Sequence, residues 1–140
     1  MVTLDIDLGN QPELIPNMVK AFLEKNLDLL IACRTVIPRV TERFASRTIG
    51  RVVGVRDIYS NFRVRKRDLF KDFRPRLKEG FGAELIVYEW LDNYRIGEYV
   101  YEPPPRRRNP RIGGRLKANA RIFSTTIKLL TYLLLTKPKR

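Results

Sequence analysis

The residues with the clearest capacity for chemistry lie at the start of the chain. Asp5 and Asp7 sit one residue apart at the end of a short apolar run, V-T-L-D-I-D-L. In a strand, side chains at i and i+2 point to the same face. A strand ending in D-x-D therefore presents two carboxylates side by side where it opens into a loop. Paired hard oxygen ligands suit Mg²⁺ or Mn²⁺, which is commonly shared between protein carboxylates and a substrate diphosphate. A solvated strand end with two acids is the plainer reading, and D-x-D alone does not choose between them.

Arginines supply the complementary chemistry. Arg34 closes a second apolar run, Arg63 follows the turn D-I-Y-S-N-F, and Arg111 and Lys117 flank a glycine pair. A guanidinium grips a phosphate at two points. Each has a plainer reading as well: Arg34 as a surface arginine, Asp57 as a turn-capping carboxylate, and Arg43 and Ser46 as a solvated helix face. The basic loop around Arg111 reads equally well as disordered. The chain has no histidine, which removes the usual general base and most zinc sites. Its single cysteine, Cys33, lies in the apolar run L-D-L-L-I-A-C, so a buried inert thiol is expected.

Charge points the same way. The formal net charge is +13, and it is uneven. Residues 1–35 carry 5 acids against 3 bases, and from Pro103 onward there are 11 basic residues and no acid. Such asymmetry calls for a polyanionic partner: nucleic acid, lipid headgroups or a phosphorylated ligand. The opening residues show no basic segment of the kind that begins a secretory signal.

The elements that must position these groups follow from periodicity. Val2 to Ile6 reads as a strand, Pro12 to Lys25 as a helix and Leu27 to Cys33 as a buried parallel strand, which together make a βαβ unit. Thr41 to Val53 reads as a helix with Phe44, Ile49 and Val52 inward and Arg43, Arg47 and Arg51 in an outward row. A short strand at Phe62 to Val64 and a short helix at Arg67 to Phe73 follow. Gly82 to Tyr94 predicts a helix and Ile96 to Glu102 a strand, and P-P-P-R-R-R-N-P-R-I-G-G-R holds too many helix breakers for regular structure. Leu116 to Thr136 is a last helix. Its apolar face is predicted at Ile122, Phe123, Ile127, Leu129, Leu130, Leu133 and Leu134, with Ser124, Thr125, Lys128 and Thr131 opposite. The apolar run Ile122 to Leu135 is shorter than the ~20 residues that cross a bilayer. With basic flanks it suits a membrane interface, or equally the core or a partner chain.

The order of five blocks is similar to that of the family 2 glycosyltransferases, closest to the polyprenyl-phosphate (dolichol-phosphate) mannosyl- or glucosyltransferases. The blocks are Asp5 to Pro16, the strand ending in Arg34, Asp57 to Arg63, Phe81 to Leu85, and Arg111 to Lys117. The resemblance implies an α/β fold: a partial GT-A-like (nucleotide-diphospho-sugar transferase) sheet with flanking helices over 1–115, and a basic amphipathic helix over 116–140. It covers the later part of that family's catalytic domain, so a partner chain or a homo-oligomer is expected to complete it. It assigns Asp5 and Asp7 to Mg²⁺ or Mn²⁺ and the donor diphosphate. Arg34, Arg63 and Ser46 go to the acceptor phosphate, Asp57 to the catalytic position, and Arg111 and Lys117 to the loop over the nucleotide diphosphate. Asn61 stands where the family has glycine. The implied reaction moves a hexose from a nucleotide sugar to a polyprenyl phosphate, in a cytoplasmic protein peripheral to the inner face of the membrane. A non-catalytic remnant or accessory subunit is the alternative. A nucleic-acid-binding domain fits the charge but leaves the D-x-D strand and the apolar C-terminal helix unexplained.

Overall fold

A computed structural model describes residues 1–4, 11–70, 73–77, 80–103, 114–136 and 138. Five helical segments named α, two single-turn helices of other kinds and a four-stranded sheet make up an α/β fold. In chain order they are β1 (Val2–Thr3), α1 (Leu14–Glu24), β2 (Leu29–Arg34), α2 (Val40–Ala45), a π-turn (Ser46–Gly50) and α3 (Arg51–Val53). Then come β3 (Arg63–Arg65), a 3₁₀ turn (Arg67–Phe70), α4 (Phe81–Leu91), β4 (Ile96–Tyr101) and α5 (Gly114–Leu135). Among the described residues no helix is long and apolar enough to cross a membrane.

The sheet order is β1-β3-β2-β4. β2 and β4 are parallel, with Leu29 opposite Ile96 and Arg34 opposite Tyr101. β3 is antiparallel to both β1 and β2. The expected βαβ unit is therefore altered. β1 and β2 run the same way but are not neighbours, because β3 is inserted between them and its three residues pair on both sides.

Side-chain alternation in β2 divides the core. Leu30 and Ala32 face α1, meeting Met18, Phe22, Phe62 and Val64. Leu29, Ile31 and Cys33 face the other helices, meeting Ala45, Ile49, Ile86, Val87 and Leu129. Two asparagines stop helices at positions that need a left-handed backbone. Asn26 (φ 48°) follows α1, and Leu27 N–H reaches back to the Phe22 carbonyl at 3.1 Å. Asn93 (φ 60°) follows α4, and Tyr94 N–H reaches back to Glu89 at 3.0 Å.

Two expected helix faces are met in part: Ile49 in one and Leu129, Leu130 and Leu133 in the other face the core, and other members turn outward. In the Thr41 to Val53 region the inward residues are Glu42, Ala45, Ile49 and Val53, while Phe44 and Val52 are exposed. The π-turn adds a residue per turn and shifts the register between its two ends. Gly50 permits this turn: a Cβ there would lie 2.5 Å from the Val55 carbonyl oxygen. In α5, Thr125, Thr126 and Leu129 are buried, and Phe123, Ile127 and Leu134 are exposed. Gly80 accounts for part of this, since its missing Cβ would sit 2.3 Å from Thr125 Cγ2. α5 thus seats a threonine against α4 where a leucine would not fit.

Candidate functional site

Strand direction decides where the sequence blocks meet. β1, β2 and β4 are mutually parallel, so their carboxyl ends lie on one edge of the sheet. β3 runs the other way, so its entry, from Asp57 through Asn61, lies on that same edge. The end of β1, Arg34 at the end of β2, the D-I-Y-S-N turn before β3 and the end of β4 are thereby collected together. Open α/β sheets bind ligands at this edge. Two long-range contacts fix it. Thr3 Oγ1 donates to the Asn61 carbonyl at 3.0 Å, and Gln11 Nε2 donates to the Glu102 carbonyl at 3.3 Å. The second contact ties the residue that follows the D-x-D segment to the residue that precedes the arginine-rich loop.

Arg34 and Asp57 are joined directly. Arg34 Nε and Nη2 donate to the two Asp57 oxygens at 2.6 and 2.9 Å, and its backbone N–H reaches Asp57 Oδ2 at 3.3 Å. Nη2 also donates to Glu42 Oε2 at 3.0 Å, and Arg39 reaches Glu42 at 3.6 Å. The Arg34 side chain is 8% exposed and that of Asp57 1%. Burial alone would lower the Arg34 pKa; the Asp57 and Glu42 carboxylates outweigh it and hold the pKa above its ordinary value. Nη1 of Arg34 makes no hydrogen bond among the described residues, so the guanidinium is clamped from one side with one nitrogen to spare.

Arg63 has a different setting. Its side chain is buried and donates to three carbonyls: Ser60 at 2.7 Å, Gly82 at 2.8 Å and Ile58 at 3.2 Å. It welds the turn before β3 to the start of α4, and a Cβ on Gly82 would meet the guanidinium at 2.9 Å. Asn61 is exposed and does not take a left-handed backbone. Ser46 is half-buried at the head of the π-turn, and Lys117 is exposed on α5. No hydrogen bond or ion pair joins either of them to Arg34 or Asp57 among the described residues. Asp5, Asp7 and Arg111 lie outside the described residues.

Three features escaped sequence reasoning. Glu42 shares Arg34 with Asp57; it sits in the first turn of α2, where acids are common, and nothing in V-T-E-R marks it as buried. Thr41 and Asn119 meet through their side chains at 3.2 Å, which links α2 to α5. Tyr59 lies within 3.0 Å of Thr126 Oγ1 and donates to the Ile122 carbonyl, which anchors α5 to the turn after Asp57. Burial raises the Tyr59 pKa, and the Glu42 charge adds to that despite the Thr126 hydrogen bond.

Among the described residues no cluster of three potential metal ligands occurs. Glu42 and Asp57 are engaged by Arg34. A cavity of about 290 Å³ lined by Phe73, Tyr88, Lys128 and Tyr132 includes none of the candidate residues. Comparison with known protein families and with curated proteins gives no match to this chain.

Proposed function

We propose that this chain is the later portion of a family 2 glycosyltransferase-like domain, with a GT-A-like sheet, acting on a nucleotide sugar and a polyprenyl phosphate. One observation carries the reading: the inserted antiparallel β3 brings Thr3, Arg34 and the turn from Asp57 to Asn61 to one end of the sheet. Around it stands Arg34, held rigid by Asp57 and Glu42, with Nη1 left over for a phosphate oxygen. Asp57 in this reading acts as a positioning residue. Fixing a guanidinium before the ligand arrives removes the entropy cost of ordering it on binding.

The chemistry needs little from a base. A phosphate monoester is largely ionised near neutrality. One of its oxygens attacks the anomeric carbon, the bond from that carbon to the donor diphosphate breaks, and the nucleoside diphosphate departs with the electron pair. What the protein must supply is relief of repulsion between two phosphate groups, through Arg34, Arg111 and Lys117. Asp5 and Asp7 would hold Mg²⁺ or Mn²⁺ on the diphosphate side. β1 has one described partner strand, and its outer edge offers a place for a further strand from a partner chain.

The test is titration of UDP- and GDP-hexoses into the chain with Mn²⁺, alone and with any partner that pairs at β1. Donor binding that needs Mn²⁺, with transfer to polyprenyl phosphate that falls at least about ten-fold in Arg34→Gln, supports the reading, ten-fold being the scale of a charge-assisted hydrogen bond. Absence of binding to every donor under both conditions rejects it. The accessory-subunit reading has its own support, because both Asp57 oxygens are already bonded. Donor binding without transfer to polyprenyl phosphate would favour it.

A further inference from the structure

The outward-turned members of these helices leave an apolar surface that the core does not use. On α5, Leu116, Phe123, Ile127 and Leu134 recur at i, i+7, i+11 and i+18, one row of a helix. All four are exposed, Leu116 and Leu134 to 86% and 85%. On α2, Val40 and Phe44 are exposed one turn apart. The two rows adjoin, because the Phe44 and Phe123 rings lie 5.7 Å apart and Thr41 meets Asn119.

A row of cations borders this strip on its α2 side. Arg43, Arg47 and Arg51 are exposed along α2, the π-turn and α3, and none has an ion-pair partner among the described residues. Lys117 is exposed next to Leu116 at the start of α5. No acid occurs in the sequence after Glu102, and the one acid of α2, Glu42, is turned inward onto Arg34. An apolar strip beside a basic row is the pattern of an interfacial amphipathic surface. A nucleic acid would use the cations and leave the leucines and the phenylalanine in water.

We propose that α2, the π-turn, α3 and α5 together form one docking face for an anionic lipid bilayer, with Phe44, Phe123, Ile127 and Leu134 entering the headgroup region. The face is a two-helix surface, unlike the single amphipathic helix that periodicity alone suggests. Glu42 lies on the reverse of this helix, so the segment that meets the lipid is the one that clamps Arg34. The inference deepens the glycosyl-transfer reading by naming the surface that would bring a lipid acceptor to the sheet edge. It rests on that reading for its purpose, though the surface chemistry stands by itself.

Co-sedimentation of the whole chain with vesicles of phosphatidylcholine, with and without phosphatidylserine, tests it. The chain is expected to partition to the phosphatidylserine vesicles, more weakly as salt rises, and to leave neutral vesicles unbound. Arg43→Gln, Arg47→Gln and Arg51→Gln together should weaken binding by roughly five-fold for each charge, the equivalent of about 1 kcal/mol. These side chains are exposed and unpaired, so folding is untouched. Ile127→Glu should abolish binding, with circular dichroism checking the fold. Failure to bind anionic vesicles overturns the proposal. So does binding that survives Ile127→Glu, or binding to an RNA homopolymer that blocks vesicles and ignores that substitution. Vesicle binding without donor binding would keep this inference and reject the enzymatic one.

Discussion

Arg34 and Arg65 are both buried arginines on neighbouring strands, each facing carboxylates, and they are solvated in opposite ways. Arg34 meets Asp57 through two nitrogens and Glu42 through one of them, and its pKa is held high. Arg65 donates a 2.9 Å bond to Glu89, with side chains 2% and 0% exposed. There burial dominates: it lowers the Arg65 pKa, and it pushes Glu89 up to about 7 despite the nearby guanidinium. Glu89 Oε2 accepts no hydrogen bond among the described residues. Two charges need more than proximity to offset the loss of water; they need their remaining atoms satisfied. The pair at the sheet edge meets that condition better than the pair against α4. One behaves as a positioning device, the other as a cost carried in the core.

Removing one partner of the core pair is the largest test of this difference. Glu89→Ala would leave Arg65 buried without its carboxylate and is expected to cost about 3–5 kcal/mol in urea unfolding. The double replacement Arg65→Met, Glu89→Leu should be neutral or stabilising by about 1–4 kcal/mol. A double variant as unstable as Glu89→Ala would show that the pair is a net support for the fold.

The pH dependence sharpens the same point. Glu89 has a folded pKa of about 7 against an ordinary value of 4.5, so the folded chain binds more protons between those values. Its contribution to stability is therefore greatest below pH 4.5, declines as pH rises to 7, and is flat above. The change amounts to at most about 3 kcal/mol. Asp28 acts in the opposite sense and in a lower range. Burial pushes its pKa up, but Lys66 and Arg95 bring it below the ordinary value, so stability is lost as pH falls through the carboxylate range. Urea midpoints at pH 5 and pH 7.5 isolate Glu89, and Glu89→Gln should remove the slope between them.

The sequence made some of this legible and hid the rest for physical reasons. Helices and strands were readable where apolar periodicity was long, as in α1, α4 and β4. The insertion of β3 between β1 and β2 was not, because pairing partners leave no mark on a three-residue strand. The buried face of α5 was legible in part: Leu129, Leu130 and Leu133 pack on the core as expected, while Phe123, Ile127 and Leu134 are exposed and Thr125 is buried where the space beside Gly80 admits a small side chain. Arg34 and Asp57 could be singled out from the chain alone. Their mutual bond could not, since the two are joined only by the meeting of β2 with the turn before β3.

At the sheet edge the expected loss is smaller. Asp57→Ala removes three hydrogen bonds from Arg34, two of them from the guanidinium, but leaves Glu42 in place. The cost should be about 2–3 kcal/mol, the scale of hydrogen bonds to a charged group. If this variant equals Glu89→Ala in cost, the second carboxylate does nothing for Arg34 and the contrast between the two networks fails.

The smallest effect belongs to a pair that keeps its water. Lys20 and Glu24 lie 3.8 Å apart at i, i+4 on α1, with side chains 74% and 63% exposed. High dielectric and the freedom of two long side chains hold such pairs to about 0.3–0.5 kcal/mol. Glu24→Ala should shift the urea midpoint by no more than that, and added salt should erase the shift. The three variants at Glu89, Asp57 and Glu24 then form a series in which separation changes by about an ångström and solvation changes almost completely. A ranking by solvation and satisfied bonds supports the account given for Arg34. A ranking by distance would place Asp57→Ala first, because its 2.6 Å contact is the shortest of the three.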